Sequence, residues 1–146
     1  MKITGTYTLP VPVEKAYSSL QDPALLSQTM PGCESLDKIG PDEYAMKMKM
    51  AMSMVSGNFD GKVRIADQNP HSSFKLIVEG QGKIGFVKGT GAINLKAIDE
   101  KSTEVTYDGD VQVGGTIAAV GSRLIDTTSK MMIKKFFDKM SELASA

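Results

Sequence analysis

The 146-residue sequence contains no tryptophan, one cysteine and one histidine. The lone Cys33 excludes an intrachain disulfide and is typical of a reducing compartment. The lone His71 has no Cys, Asp or Glu neighbour at the spacing of a zinc site. A chain of this length buries enough surface to fold without such crosslinks, and we expect one domain over residues 1–146. Neither a bound metal nor a cofactor is predicted.

An excess of charge of one sign is also absent, because 17 Lys and Arg residues balance 17 Asp and Glu residues. Nucleic-acid-binding proteins usually carry a basic excess, so nucleic acid is not an expected partner. No apolar run reaches the roughly 18 residues that a membrane-spanning helix needs. The N-terminus has no apolar stretch of signal-peptide length. We therefore expect a cytoplasmic protein.

Methionine, by contrast, occurs ten times, and five methionines occupy alternate positions from Met46 to Met54. This alternation predicts a strand with one face made of methionine, because successive side chains of a strand point to opposite faces. Strands usually prefer β-branched residues, whereas methionine provides an adaptable apolar surface. Two interpretations stay open: an ordinary core face, or the lining of a ligand cavity.

The remaining pattern predicts a strand over 3–9, two short helices over 13–20 and 23–30, and six more strands from Glu34 to Val113. A single helix is predicted from Thr116 to about Leu143, since the period returns to 3.6 without a proline. The expected class is α+β, with one antiparallel sheet packed on a long C-terminal helix. Inward-facing glycines fill the space between sheet and helix poorly, which favours a pocket: Gly89, Gly91 and Gly109.

Sequence features that could support catalysis are weak. The Gly-x-Gly-x-x-Gly pattern of Gly80–Gly85 precedes an alternating strand, so it predicts a hairpin and not a dinucleotide site. His71 lies in a predicted exposed turn, far from Cys33, which is expected to be a structural thiol. The acidic residues of the strands fall on the outward faces. Tyr107 has two interpretations, a hydroxyl directed at a bound carbonyl or a core tyrosine.

Four segments carry a family resemblance: residues 30–36 (MPGCESL), 57–63 (GNFDGKV), 80–82 (GQG) with 88–91 (KGTG), and 113–125 (VGGTIAAVGSRLI). The chain resembles the CoxG family of carbon monoxide dehydrogenase subunits, which is part of the START-like (SRPBCC) superfamily. The resemblance implies a helix-grip fold, in which a seven-stranded antiparallel sheet and the long helix enclose a hydrophobic cavity. It supplies no catalytic residue.

The resemblance also implies a function. Members are associated with molybdenum hydroxylases of the carbon monoxide dehydrogenase type, with recruitment of those enzymes to the membrane, and with a hydrophobic electron acceptor such as a quinone. Longer members carry a C-terminal membrane-anchoring segment. Because this sequence ends at Ala146, we expect a soluble carrier, with at most peripheral contact at the inner face of the membrane.

The first hypothesis is thus a non-enzymatic accessory protein that holds a quinone or lipid-like molecule. The alternatives are a cyclase-like or hydrolase-like enzyme acting on a hydrophobic substrate, and a partner-binding module with a closed core. For the first hypothesis, the predicted cavity lining combines inward strand positions with the apolar face of the helix: Met46, Met48, Met50, Met52, Phe59, Phe74, Val87, Tyr107, Val120, Leu124, Met132 and Phe136.

Overall fold

The computed structural model describes residues 1–52 and 55–145, without the side chains of residues 51, 52 and 55. The elements in chain order are β1 (Lys2–Leu9), α1 (Val13–Ser19), α2 (Pro23–Thr29), β2 (Cys33–Gly40), β3 (Glu43–Met52), β4 (Val55–Asn69), β5 (Ser73–Gly82), β6 (Gly85–Asp99), β7 (Ser102–Gly114), a 3₁₀ helix (Gly115–Val120) and α3 (Ser122–Ala144).

The strands form one antiparallel seven-stranded sheet in the order β1-β7-β6-β5-β4-β3-β2. Every sequence-adjacent pair from β2 to β7 is also adjacent in the sheet, and β1 closes the far side by pairing with β7. The long helix α3 packs on β1 and on both short helices. The predicted α+β helix-grip architecture is confirmed.

The two short helices begin where the sequence predicts. Pro12 precedes α1, and Asp22 caps α2 by accepting a hydrogen bond from the Ala24 backbone N–H at 2.9 Å. Pro23 occupies the first turn of α2, where its missing N–H costs nothing. Both helices cover one end of the sheet and connect β1 to β2.

The prediction of one continuous C-terminal helix is wrong. A 3₁₀ helix ends at Val120, and α3 begins only after Gly121, whose φ of +94° interrupts the helical backbone. Glycine adopts this conformation without the steric penalty that a Cβ brings. The remaining α3 has 23 residues, about 34 Å at 1.5 Å per residue.

The pairing of β3 with β4 determines which side chains lie beside the methionines. Strand β4 begins at Val55, which pairs with Met52 of β3. The register then places Phe59 opposite Met48 and Gly61 opposite Met46. The side chains of Met52 and Met54 lie outside the described residues.

The interior divides into two ends with different packing. At one end α1, α2 and the C-terminal half of α3 close a dense core with the sheet. Three aromatic rings stack there, because Phe137 of α3 lies 5.0 Å from Tyr7 and 5.9 Å from Tyr107, measured between centroids. Further members of this core are Leu9, Ala16, Leu20, Leu26, Tyr44, Ile65, Phe74, Leu95, Val105 and Met140. The other end is not filled.

Candidate functional site

An apolar cavity of about 210 Å³ lies at this unfilled end, between the sheet and the N-terminal half of α3. For comparison, an apolar cavity of about 150 Å³ in another protein binds benzene. The fourteen lining residues in the described part of the chain include no ionisable side chain: Met46, Met48, Met50, Phe59, Val78, Gly80, Val87, Val111, Val113, Ile117, Ile125, Thr128, Ser129 and Met132.

The sheet side of the cavity is the concave face of strands β3 to β7. Three methionines of β3 lie next to Phe59 of β4, which pairs with Met48 in the register. Met46 is buried, whereas Met48 and Met50 are half-buried. The methionine face of β3 is therefore not completely covered by the rest of the protein.

Gly80 contributes to the free volume of the cavity. A Cβ built on Gly80 would meet no atom closer than the Phe59 Cβ at 4.0 Å. This position could hold a larger side chain, so glycine leaves space where a strand would ordinarily place a bulkier residue. The three glycines predicted to leave room for a pocket, Gly89, Gly91 and Gly109, are not among the described lining residues.

The helix side of the cavity is one stripe of α3. Ile125, Thr128, Ser129 and Met132 follow the i, i+3, i+4, i+7 spacing of a single helix face. The 3₁₀ helix adds Ile117, whose backbone N–H donates to the Ile84 carbonyl at 2.8 Å. This hydrogen bond joins the entry to α3 to the β5–β6 turn and holds the end of the cavity.

Six of the predicted lining residues line this cavity: Met46, Met48, Met50, Phe59, Val87 and Met132. Whether they bind a ligand stays a prediction. Five others lie elsewhere. Phe74, Tyr107 and Phe136 belong to or pack against the dense core, because their positions fall at the end of the sheet that α1 and α2 cover. Val120 and Leu124 are half-buried outside the cavity wall, since the break at Gly121 turns Ile117 and Ile125 inward instead.

The described residues offer no alternative centre for metal or nucleophilic chemistry. No group of three His, Cys, Asp or Glu side chains with metal-binding geometry occurs among them. Burial raises the pKa of the Cys33 thiol, and the hydrogen bond to the Ser35 carbonyl offsets this increase only partly. The thiolate, which is the reactive form, is therefore disfavoured, and Cys33 is a weak nucleophile. His71 is exposed in the β4–β5 turn, and Gly80–Gly85 forms the β5–β6 hairpin, both as predicted.

The model of the CoxG family of carbon monoxide dehydrogenase subunits matches residues 5–145. The chain belongs to the CoxG family. Among solved structures, a conserved protein from Geobacillus kaustophilus is 34% identical, with a TM-score of 0.96 over 99% of this chain and 95% of that one. A comparison with curated proteins gives no match.

More distant structures share the fold of this CoxG-family chain. A START superfamily protein from Mycobacterium smegmatis is 13% identical, with a TM-score of 0.75 over 99% of this chain and 97% of that one. The Zhui aromatase/cyclase from a Streptomyces species is 11% identical, with a TM-score of 0.71 over 99% and 93%. The START-like fold and the CoxG family together support a ligand-binding, accessory role in general terms.

Eight residues that line the cavity of this CoxG-family chain were not predicted from the sequence. Val78, Gly80, Val111 and Val113 stand at inward strand positions, so the alternation of side chains could have identified them. Ile117 and Ile125 required knowledge of the break at Gly121. The polar Thr128 and Ser129 were missed because a hydrophobic cavity was expected to have apolar walls only, although they share a helix face with Met132.

A second depression, of about 540 Å³, lies on the opposite face of the sheet. Its side chains come from β1, β5, β6 and β7 and carry both signs of charge: Lys2, Lys75, Glu79, Lys88, Asp108 and Asp110. The N-terminal ammonium already pairs with Asp110 at 3.1 Å. Mixed charge of this kind favours neither an anionic nor a cationic ligand.

No helix among the described residues has the length and hydropathy to cross a bilayer.

Proposed function

We propose that this chain is a non-enzymatic carrier that holds a quinone or a similar lipid-like molecule in the cavity under α3. The observation that carries the proposal is that the described lining residues include four methionines and no ionisable group. Burial of apolar surface is favourable by about 25 cal/mol per Å². Methionine side chains adapt to ligands of variable shape, because they are unbranched and have several rotatable bonds.

The volume limits which part of such a molecule fits. Cavities that enclose drug-sized ligands typically measure about 300–1,000 Å³, and this one measures about 210 Å³. One or two fused rings fit, whereas a long isoprenoid tail exceeds this volume. The proposal therefore assigns the ring of the quinone to the cavity and its tail to the space outside it.

Catalysis is the less supported alternative. A cyclase or hydrolase needs a general acid or base within hydrogen-bond reach of its substrate. Among the described lining residues none is ionisable at neutral pH. The likeness to an aromatase/cyclase is a likeness of fold, and function depends on the residues of the site and not on the fold.

The experiment is a titration with quinones of increasing tail length, together with native mass spectrometry of gently purified protein. We expect saturable binding and a bound neutral lipid. Gly80→Leu places four carbons in the cavity and should weaken binding at least tenfold. Gly40→Leu, at the end of edge strand β2 and outside the cavity wall, is the matched control. Absence of both a bound lipid and saturable binding would refute the carrier function.

The proposed partner is a molybdenum hydroxylase of the carbon monoxide dehydrogenase type, as the family description implies. A carrier should accelerate electron delivery to a poorly soluble acceptor. Purified hydroxylase should therefore reduce a long-tailed quinone faster when this chain is added, and a water-soluble dye at an unchanged rate. Equal rates of quinone reduction with and without this chain would refute the proposed partnership.

A further inference from the structure

Two residues with hydroxyl groups lie among the otherwise apolar residues that line the cavity. Of the fourteen lining residues in the part of the chain that the structure describes, Thr128 and Ser129 alone carry polar side chains. Both lie on α3, on the same face as Ile125 and Met132. The opposite face of the cavity consists of methionine, phenylalanine, valine and glycine.

The Thr128 hydroxyl is not used by the fold. Thr128 is nine-tenths buried, with 9% of its surface exposed. Its neighbour Thr127 donates to the Arg123 carbonyl at 2.9 Å, and the buried Thr29 donates to the Leu25 carbonyl at 2.9 Å. Within the described residues, Thr128 and Ser129 make no comparable side-chain hydrogen bond.

The Thr128 hydroxyl is not fully enclosed by other protein atoms. No fully enclosed side-chain nitrogen or oxygen among the described residues lacks a hydrogen-bond partner. The unpaired Thr128 Oγ1 is therefore partly accessible, and Thr128 is one of the residues that line the cavity. An unpaired hydroxyl at a buried position is destabilising, and valine has the same shape without that penalty. A threonine here is explained if a ligand supplies the missing partner.

We propose that Thr128, assisted by Ser129, is the polar anchor of the cavity and selects neutral ligands that carry a carbonyl or hydroxyl oxygen on an apolar ring. The proposal rests on the proposed carrier function and adds the group that orients the ligand. Because the described lining holds no charged partner, a carboxylate or phosphate would be buried unpaired, which is strongly unfavourable. Charged lipids are thus excluded from the interior.

The test compares three probes of similar ring size. Dimethylnaphthoquinone carries two carbonyl oxygens, and its blocked ring positions cannot alkylate Cys33. Dimethylnaphthalene is the matched hydrocarbon without oxygen, and naphthoate is the charged probe. Binding to the wild-type protein is measured by displacement of an environment-sensitive dye. We expect the quinone to bind more tightly than the hydrocarbon and naphthoate to show no binding at pH 7.

The variants are Thr128→Val and Ser129→Ala, with Thr127→Val as the matched control outside the cavity. Thr128→Val should weaken quinone binding about three- to tenfold, the value of one hydrogen bond. Its affinity for the hydrocarbon should stay the same or increase. Ser129→Ala should have a smaller effect in the same direction, and Thr127→Val should have none. Thermal unfolding without ligand should show Thr128→Val at least as stable as the wild type.

The outcomes separate the anchor from the carrier function. Wild-type protein that binds neither ring compound refutes the carrier function itself. Suppose that the wild-type protein binds both the quinone and the hydrocarbon. If Thr128→Val then changes the two affinities equally, or changes neither, Thr128 is not an anchor, while the carrier function stands. Tight binding of naphthoate would also refute the selection for neutral ligands.

Discussion

The Tyr7 hydroxyl donates a hydrogen bond to the Asp138 carboxylate, which connects edge strand β1 to the C-terminal half of α3. Lys134 donates to the other oxygen of the same carboxylate at 2.7 Å. The Tyr7 ring stacks on Phe137, one position before Asp138. This arrangement holds α3 against the sheet at the packed end, while the opposite end of α3 covers the cavity.

Alkaline pH should weaken this connection. The hydrogen bond to Asp138, burial and the nearby Asp138 charge all raise the pKa of Tyr7. A raised pKa in the folded state contributes stability below the ordinary tyrosine pKa of about 10, and that contribution is lost as pH rises through the raised value. The stability difference between wild type and Tyr7→Phe, from urea unfolding, should therefore shrink above about pH 10. A difference that is constant with pH would contradict this role.

Acidic pH should weaken the same connection by protonating the Asp138 carboxylate. Hydrogen bonds from Lys134 and then from Tyr7 lower the pKa of Asp138. A lowered pKa contributes stability above the ordinary value of about 3.9, and the contribution disappears as pH falls through the lowered value. Asp138→Asn should consequently be less stable than the wild type at neutral pH and approach it below about pH 4. Asp126→Asn, which removes the exposed pair with Lys130, is the control and should change little.

A buried and an exposed methionine of α3 should respond differently to replacement by alanine. Met140 is fully buried in the dense core, whereas Met131 is 41% exposed. Met140→Ala should cost about 2–5 kcal/mol, as is usual for a buried large-to-small change. Met131→Ala should stay within about 0.5 kcal/mol of the wild type. Urea unfolding measures both, and equal losses would mean that the packed end is not denser than the helix surface.

Gly121 should be required for the break between the 3₁₀ helix and α3. Its φ of +94° lies in a region that residues with a Cβ rarely adopt. Gly121→Ala should therefore cost on the order of 1–3 kcal/mol in urea unfolding, although a Cβ there would meet no other atom within 4 Å. Gly89→Ala, in an extended strand with room for a methyl group, is the control. A neutral Gly121→Ala would indicate a continuous helix after all.

Features of the fold that depend on local sequence signals could be predicted, whereas those that depend on tertiary packing could not. Alternation and turn residues were sufficient to predict seven strands and two short helices, because these signals are local. The break at Gly121 was missed, since a single glycine in a helical pattern is compatible with a continuous helix. The division between core and cavity also escaped prediction. Phe74 and Phe59 both face inward, and only the placement of α1 and α2 decides that the first is packed and the second borders free space.

Methionine methyl resonances report directly whether the space between β3 and α3 receives a hydrophobic ligand. Protein labelled at the methionine methyl groups is titrated with dimethylnaphthoquinone and followed by NMR. We expect saturable shifts for Met46, Met48, Met50 and Met132, which line the cavity. Met140 in the core and Met131 on the helix surface should not move. Shifts confined to Met131, or no saturable shift at the four cavity methionines, would show that no ligand enters this space.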